Sequence, residues 1–182
     1  MQSMDNDILE VLYSEKQLSE IVHKMGMRIS HDYEEKNLLM VSILKGSVVF
    51  MADLMRAITV PCSIDFMSVS SYGNGVKTSG VVKILKDLDL DLKNWDVLIV
   101  EDILDSGLTL SYLWKILKAR SPKSIRLCTL FDKPDRRTVD ISADYVGTVV
   151  PDEFIVGYGL DYAEKYRNLP YVGILKPEVY GG

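Results

Sequence analysis

The chain has 182 residues, 47% of them hydrophobic and 26% charged, the size and composition of one compact folded unit, which excludes collagen-like, coiled-coil and disordered chains. Its 21 Lys and Arg against 26 Asp and Glu leave a net charge of −5, so the molecule as a whole is not drawn to nucleic acid or anionic lipid, and an anionic ligand needs a local site. Cys62 and Cys128 share no metal-type spacing, the acidic start lacks the basic block of a signal peptide, and the apolar run Leu38–Leu44 stops at Lys45, short of a membrane span; a reducing, cytoplasmic setting is expected.

Residues 14–30 predict an amphipathic helix, because Leu18, Ile21, Val22, Met25 and Ile29 recur at three- and four-residue spacing. The run LLMVSIL, Leu38–Leu44, reads as a buried strand, Lys45-Gly46 as a turn, and residues 48–58 as a helix with Ser47 placed to cap it. Residues 60–70 read as extended, the glycine-rich stretch SYGNGVKTSG at 71–80 as a loop, and residues 81–85 as another strand. Then DVLIVED at 96–102 forms a strand by its Val, Ile and Leu content, DSGLT a turn, LSYLWKILKA a helix, and SIRLCTLFD, Ser124–Asp132, a further strand. Strand–helix–strand units of this kind require a parallel sheet with right-handed crossovers and helices on both faces. Past residue 140, the short segments DYVGTVV, FIVGYGL and YVGIL read as a smaller β-rich cap.

Ligands of open parallel sheets bind beyond the carboxyl ends of the strands, so the loops after Leu44, Asp102 and Asp132 are where chemistry is expected. The middle one carries most information. Glu101 and Asp102 close an apolar strand, and Asp105-Ser106-Gly107-Leu108-Thr109 opens a helix whose first N–H groups, with the two hydroxyls, make a phosphate cradle. An ordinary capped turn would also explain Asp-Ser-Gly, but two adjacent acids at a buried strand end need hydroxyls or a cation for company, and vicinal sugar hydroxyls supply them. No GxxxxGK[ST], GxGxxG or HExxH pattern occurs, which disfavours kinase-like, dinucleotide-binding and zincin chemistry.

Residues 97–109, an apolar strand followed by two acids, two apolar residues, Asp, Ser, Gly, any residue and Thr, resemble the signature of the phosphoribosyltransferases. With Leu44-Lys45-Gly46, Ser71-Tyr72, Lys133 and the run 152–167, the chain is more narrowly similar to the hypoxanthine-guanine members. The resemblance implies a single domain over 1–182 with the type I phosphoribosyltransferase fold: a central, mostly parallel sheet flanked by helices, and a small β-rich hood built from both chain ends. It implies a purine-salvage enzyme that transfers the phosphoribosyl group of 5-phosphoribosyl 1-pyrophosphate (PRPP) to hypoxanthine or guanine, giving IMP or GMP and pyrophosphate, as a homo-oligomer, dimer or tetramer, without nucleic acid or membrane.

Carried over residue by residue, Glu101 and Asp102 would hold the ribose hydroxyls, and Asp105, Ser106, Gly107, Leu108 and Thr109 would wrap the 5'-phosphate. Leu108 departs from the Lys or Arg common there, which leaves only its main chain for the task. Asp105 would also be the base for the purine N7 proton, a role compatible with capping the helix. Lys45 and Gly46, whose mutual peptide is commonly cis in the family, and Arg167 would bind pyrophosphate, while Ser71 and Tyr72 would close as a lid that excludes water. Lys133, donor-only, would select a 6-oxo group; Phe154 would stack on the purine, Ile155 would offer main-chain groups to its edge, and Asp161 would sit at the base and ligate Mg2+, with Glu101 and Asp102 near a PRPP-bound Mg2+. The plainer account of Asp161 and Arg167 is an ion pair with each other. A nucleotide-sensing, RNA-binding regulator on the same fold is the alternative, but Lys133, Arg136 and Arg137 are too small a basic cluster for it.

Overall fold

The computed structural model describes residues 4–71 and 82–181. Six strands form the main sheet: β2 (Leu38–Leu44), β3 (Cys62–Ser71), β4 (Val82–Lys86), β5 (Asp96–Leu104), β6 (Ser124–Asp132) and β7 (Tyr145–Val149), in the order β4-β3-β2-β5-β6-β7. All neighbours run parallel except β4, antiparallel to β3 at the edge. The strand β2 lies at the heart of this sheet, and its alternate residues separate two cores: Leu38 and Met40 face one, Leu39, Val41 and Ile43 the other.

Against the first face pack α1 (Glu15–Asp32), through Leu18, Val22, Met25 and Ile29, and α2 (Val48–Ala57), through Phe50, Met51 and Leu54. Against the second packs α3 (Leu108–Ala119), through Leu110, Leu113 and Leu117. Ser14 caps α1 in a capping box, taking the Gln17 N–H at 3.3 Å while the Gln17 side chain takes its own at 2.9 Å. The far end of α1 is tied to the sheet where Asp32 accepts from Tyr145 at 2.7 Å and pairs with Arg126 at 3.1 Å.

The hood is a three-stranded antiparallel sheet in the order β1-β9-β8, made by β1 (Ile8–Tyr13), β9 (Val172–Leu175) and β8 (Ile155–Val156). Sequence patterning misses β1 altogether. It also assigns residues 144–150 to the cap, whereas Tyr145–Val149 extends the main sheet as β7, in register with β6 from Cys128↔Tyr145 to Asp132↔Val149. Two smaller corrections bear on the site. Ser47 does not cap α2 with its side chain; that hydroxyl is buried, bonded to Ser42 at 2.7 Å and to the Ile43 carbonyl. The cis peptide is Leu44–Lys45, one bond before the Lys45–Gly46 bond singled out above.

Candidate functional site

The ends of β2, β5 and β6 lie side by side because those strands are neighbours, and the segment 157–170, which links β8 to β9 and is folded on itself by its own backbone bonds, meets the end of β2 at Lys45 and Gly46. The closest join is between two glycines. A Cβ on Gly159 would lie 2.1 Å from the Gly46 carbonyl oxygen, and one on Gly46 would lie 1.8 Å from Asp102 Oδ2. A side chain at Gly159 would push the two loops apart, and one at Gly46 would displace the Asp102 carboxylate.

Strand β5 continues past the paired acids to Leu104, since its ladder with β6 persists at Ile103↔Phe131 and Leu104↔Asp132. Successive strand residues point to opposite faces, so the two acids diverge. Glu101 lines a hollow of about 220 Å³ with Asp105, Ser106, Gly107 and Thr109. Asp102 lines a cavity of about 400 Å³ with Asp105, Lys133, Phe154, Ile155 and Asp161. Burial, reinforced by the Asp102 charge, raises the Glu101 carboxyl well above its ordinary value, and Glu101 Oε2 is buried without a hydrogen-bond partner among the described residues. Burial likewise pushes Asp102 from 3.8 up to about 6, against the Ile103 N–H that donates to Oδ1 at 2.7 Å.

At the start of α3, Gly107 takes φ +81°, and the Ser106 hydroxyl accepts the Leu108 N–H at 3.4 Å. Asp105 Oδ1 is buried and unpartnered among the described residues, while Oδ2 lies 3.7 Å from Arg136. Arg137 holds this loop in a way the sequence gives no sign of. Its guanidinium donates to the carbonyls of Asp105 (2.9 Å), Leu104 (3.2 Å) and Ile141 (2.6 Å) and pairs with Asp132, so one cation fixes the ends of both β5 and β6.

Lys133 is 6% exposed and donates through Nζ to the Glu153 carbonyl at 2.6 Å; burial, then the Arg136 charge, lowers its pKa. Phe154 is 39% exposed and carries two aromatic neighbours that sequence reasoning does not single out. Tyr180, in the short helix α4 (Pro177–Tyr180), stacks on it with centroids 4.9 Å apart, and Tyr162 meets it edge-on at 5.6 Å. Ile155 is buried at the start of β8, opposite Ile174. Asp161 and Arg167 do pair with each other, at 2.9 Å, and Arg167 also donates to the Gly159 carbonyl at 2.7 Å. Lys45 Nζ sits 3.1 Å from Glu164. Ser71 closes β3, while Tyr72 and the rest of the lid segment lie outside the described residues. A larger hollow of about 650 Å³ between α1, α2 and residues 167–170 shares only Arg167 with these groups.

Among the described residues no three His, Cys, Asp or Glu side chains form a cluster that could hold a metal, and no helix is long and apolar enough to cross a membrane. The donor set suits Mg2+ that keeps water and substrate oxygens and takes one or two carboxylates from the protein.

A mostly parallel sheet with two adjacent acids near the carboxyl end of a middle strand, a glycine turn opening the next helix, and a small antiparallel hood are the features of a phosphoribosyltransferase, and residues 10–163 match the phosphoribosyl transferase domain family. The chain belongs to that family, and within it to the hypoxanthine-guanine phosphoribosyltransferases. It is 55% identical to the hypoxanthine-guanine phosphoribosyltransferase of Streptococcus pyogenes, over 97% of this chain and 98% of that one. A solved hypoxanthine phosphoribosyltransferase of Staphylococcus aureus superposes with a TM-score of 0.96 at 52% identity, with all of both chains covered. The bifunctional protein TilS/HprT of Listeria monocytogenes is 56% identical over 98% of this chain, which spans only 28% of that relative's length.

Proposed function

We propose that the protein transfers the 5-phosphoribosyl group of PRPP to hypoxanthine or guanine in the cytoplasm, forming IMP or GMP and Mg2+-pyrophosphate for purine salvage. The observation that carries the proposal is the division of β5: Glu101 faces the hollow that Ser106, Gly107 and Thr109 line, and Asp102 faces the cavity that holds Lys133 and Phe154. The ribose spans the two, its hydroxyls supplying the unpartnered Glu101 and the buried Asp102, with the 5'-phosphate at the start of α3. In the larger cavity the purine stacks on Phe154, meets Ile155 main-chain groups with its edge and takes the Lys133 ammonium at its 6-oxo group, a contact that an adenine amino group cannot offer.

As the C1'–oxygen bond to pyrophosphate breaks and the bond from C1' to the purine nitrogen forms, Asp105, with one oxygen buried and free, takes the purine N7 proton. Lys45, Gly46 and Arg167 receive the departing pyrophosphate, and Asp161 is the residue that would hold Mg2+, whose charge would offset that of the leaving group. Ser71 and Tyr72 close over it. The experiment is direct: mix protein, PRPP, Mg2+ and each of hypoxanthine, guanine, xanthine and adenine, and follow nucleotide formation. IMP and GMP appear with Mg2+ and stop with chelator. PRPP binding without turnover of any purine refutes the proposal.

A further inference from the structure

Glu164 has no part in the roles above, yet it reaches both cations assigned to pyrophosphate. Its Oε2 lies 3.1 Å from Lys45 Nζ and its Oε1 3.4 Å from Arg167 Nη2. The backbone aims it there. Tyr162 and Lys165 bond to each other at both ends of a two-residue turn, at 3.3 and 3.0 Å, and the central residues Ala163 and Glu164 take φ of +50° and +62°. Turns of this kind favour glycine and asparagine, so alanine and glutamate are poor local choices. Asp161 pins the turn further by accepting the Glu164 N–H at 2.9 Å.

We infer that Glu164 is an internal stand-in for the pyrophosphate anion, holding Lys45 and Arg167 together in the free protein and giving way when pyrophosphate or PRPP arrives, so that it weakens the affinity for both. The inference rests on the reading that Lys45 and Arg167 bind pyrophosphate. The exchange favours the ligand because the Lys45–Glu164 pair is about two-thirds exposed on both sides and therefore weak, whereas pyrophosphate brings several charges and more acceptor oxygens to the same donors. A carboxylate left beside the arriving phosphates would repel them, so Glu164 has to turn outward, and its exposure leaves it room to do so.

The test is calorimetric titration of Mg2+-pyrophosphate into the parent protein and into Glu164→Gln, Lys45→Ala and Arg167→Ala. With Glu164→Gln the Kd falls about three- to tenfold, the range set by losing one or two weak ion pairs, and the gain shrinks at high salt. Hypoxanthine KM at saturating PRPP stays as in the parent. Structural damage does not tighten binding, so the sign is diagnostic. If the Lys45 and Arg167 variants bind pyrophosphate as the parent does, the underlying reading is wrong and the inference goes with it. If they bind weakly while Glu164→Gln binds no tighter than the parent, the inference alone is overturned.

Discussion

Replacing Asp102 with asparagine should stabilise the ligand-free fold at neutral and higher pH but not near pH 4. Burial raises the Asp102 carboxyl from 3.8 to about 6, so as pH climbs from 4 the unfolded chain releases this proton first. The unfolded state then binds fewer protons than the folded one, and stability falls with pH until the folded carboxyl ionises as well. At roughly 1.4 kcal/mol per pH unit the interval amounts to about 3 kcal/mol lost by pH 7. Asparagine is isosteric, keeps the Oδ1 acceptor for the Ile103 N–H and has no charge to bury. In a chain of this length about 3 kcal/mol is worth roughly 5–10 °C in Tm. Melting curves of both proteins without ligand, from pH 4 to 8, should therefore diverge, with the variant about 5–10 °C ahead at pH 8 and the gap closing near pH 4. Glu101 is driven in the same direction mainly by burial, which is common to both proteins, and the smaller part that comes from the Asp102 charge is lost in the variant and adds to its lead. Curves that run parallel, or a variant that melts below the parent at pH 8, would show that the Asp102 carboxylate is adequately solvated in the free site.

Three further outcomes concern turnover. Asp105→Asn should lower kcat by roughly 10²–10⁴ with PRPP affinity little changed; initial rates near those of the parent would leave Asp105 a turn residue only. Lys133→Gln, which can accept as well as donate, should relax the rejection of adenine by at least about tenfold in the ratio of kcat/KM values, and an intact preference would move base selection elsewhere. Tyr180→Ala removes the ring stacked on Phe154 at 4.9 Å, a contact worth about 0.5–1.5 kcal/mol. The purine KM should accordingly rise about two- to tenfold with the PRPP KM unchanged, and Tyr180→Phe should restore it; equal rises in both KM values would mean general damage to the hood.

The strands buried on both faces were the legible ones. The runs Leu38–Leu44 and Ser124–Asp132 coincide with β2 and β6 because continuous apolar sequence has no alternative but the sheet centre. The strand β1 escapes notice because Leu9 and Val11 are exposed and its partner β9 comes from the other end of the chain. Residues 144–150 were misplaced for a related reason: short strands rich in glycine and tyrosine carry no local mark of which sheet they join, and only pairing with β6 decides it. In the site, Glu101, Asp102 and Asp105, marked by a side-chain pattern in the sequence, do line the two hollows. Arg137 acts on three carbonyls, and Tyr180 acts through a contact made by the last helix, so neither follows a spacing that sequence can register.

The free site is unfinished in two opposite senses. On the β5 side, individual carboxylate oxygens lack compensation: Glu101 Oε2 and Asp105 Oδ1 are buried and unpartnered among the described residues, although Arg136 lies 3.7 Å from Asp105 Oδ2, and Asp102 is driven toward protonation. On the hood side, the cations Lys45 and Arg167 are occupied by Glu164 and Asp161, acids of the same loop. A ligand with hydroxyls at one end and several phosphate charges at the other would relieve both at once, and a Mg2+ brought with it would offset the surplus negative charge in a chain of net charge −5. A ribose phosphate without the second group of phosphates corrects only the β5 side. Pyrophosphate alone corrects only the hood side. On the proposed function, a preference for intact PRPP would come from coupling the two ends through the junction where Gly46 meets Asp102 on one flank and Gly159 on the other.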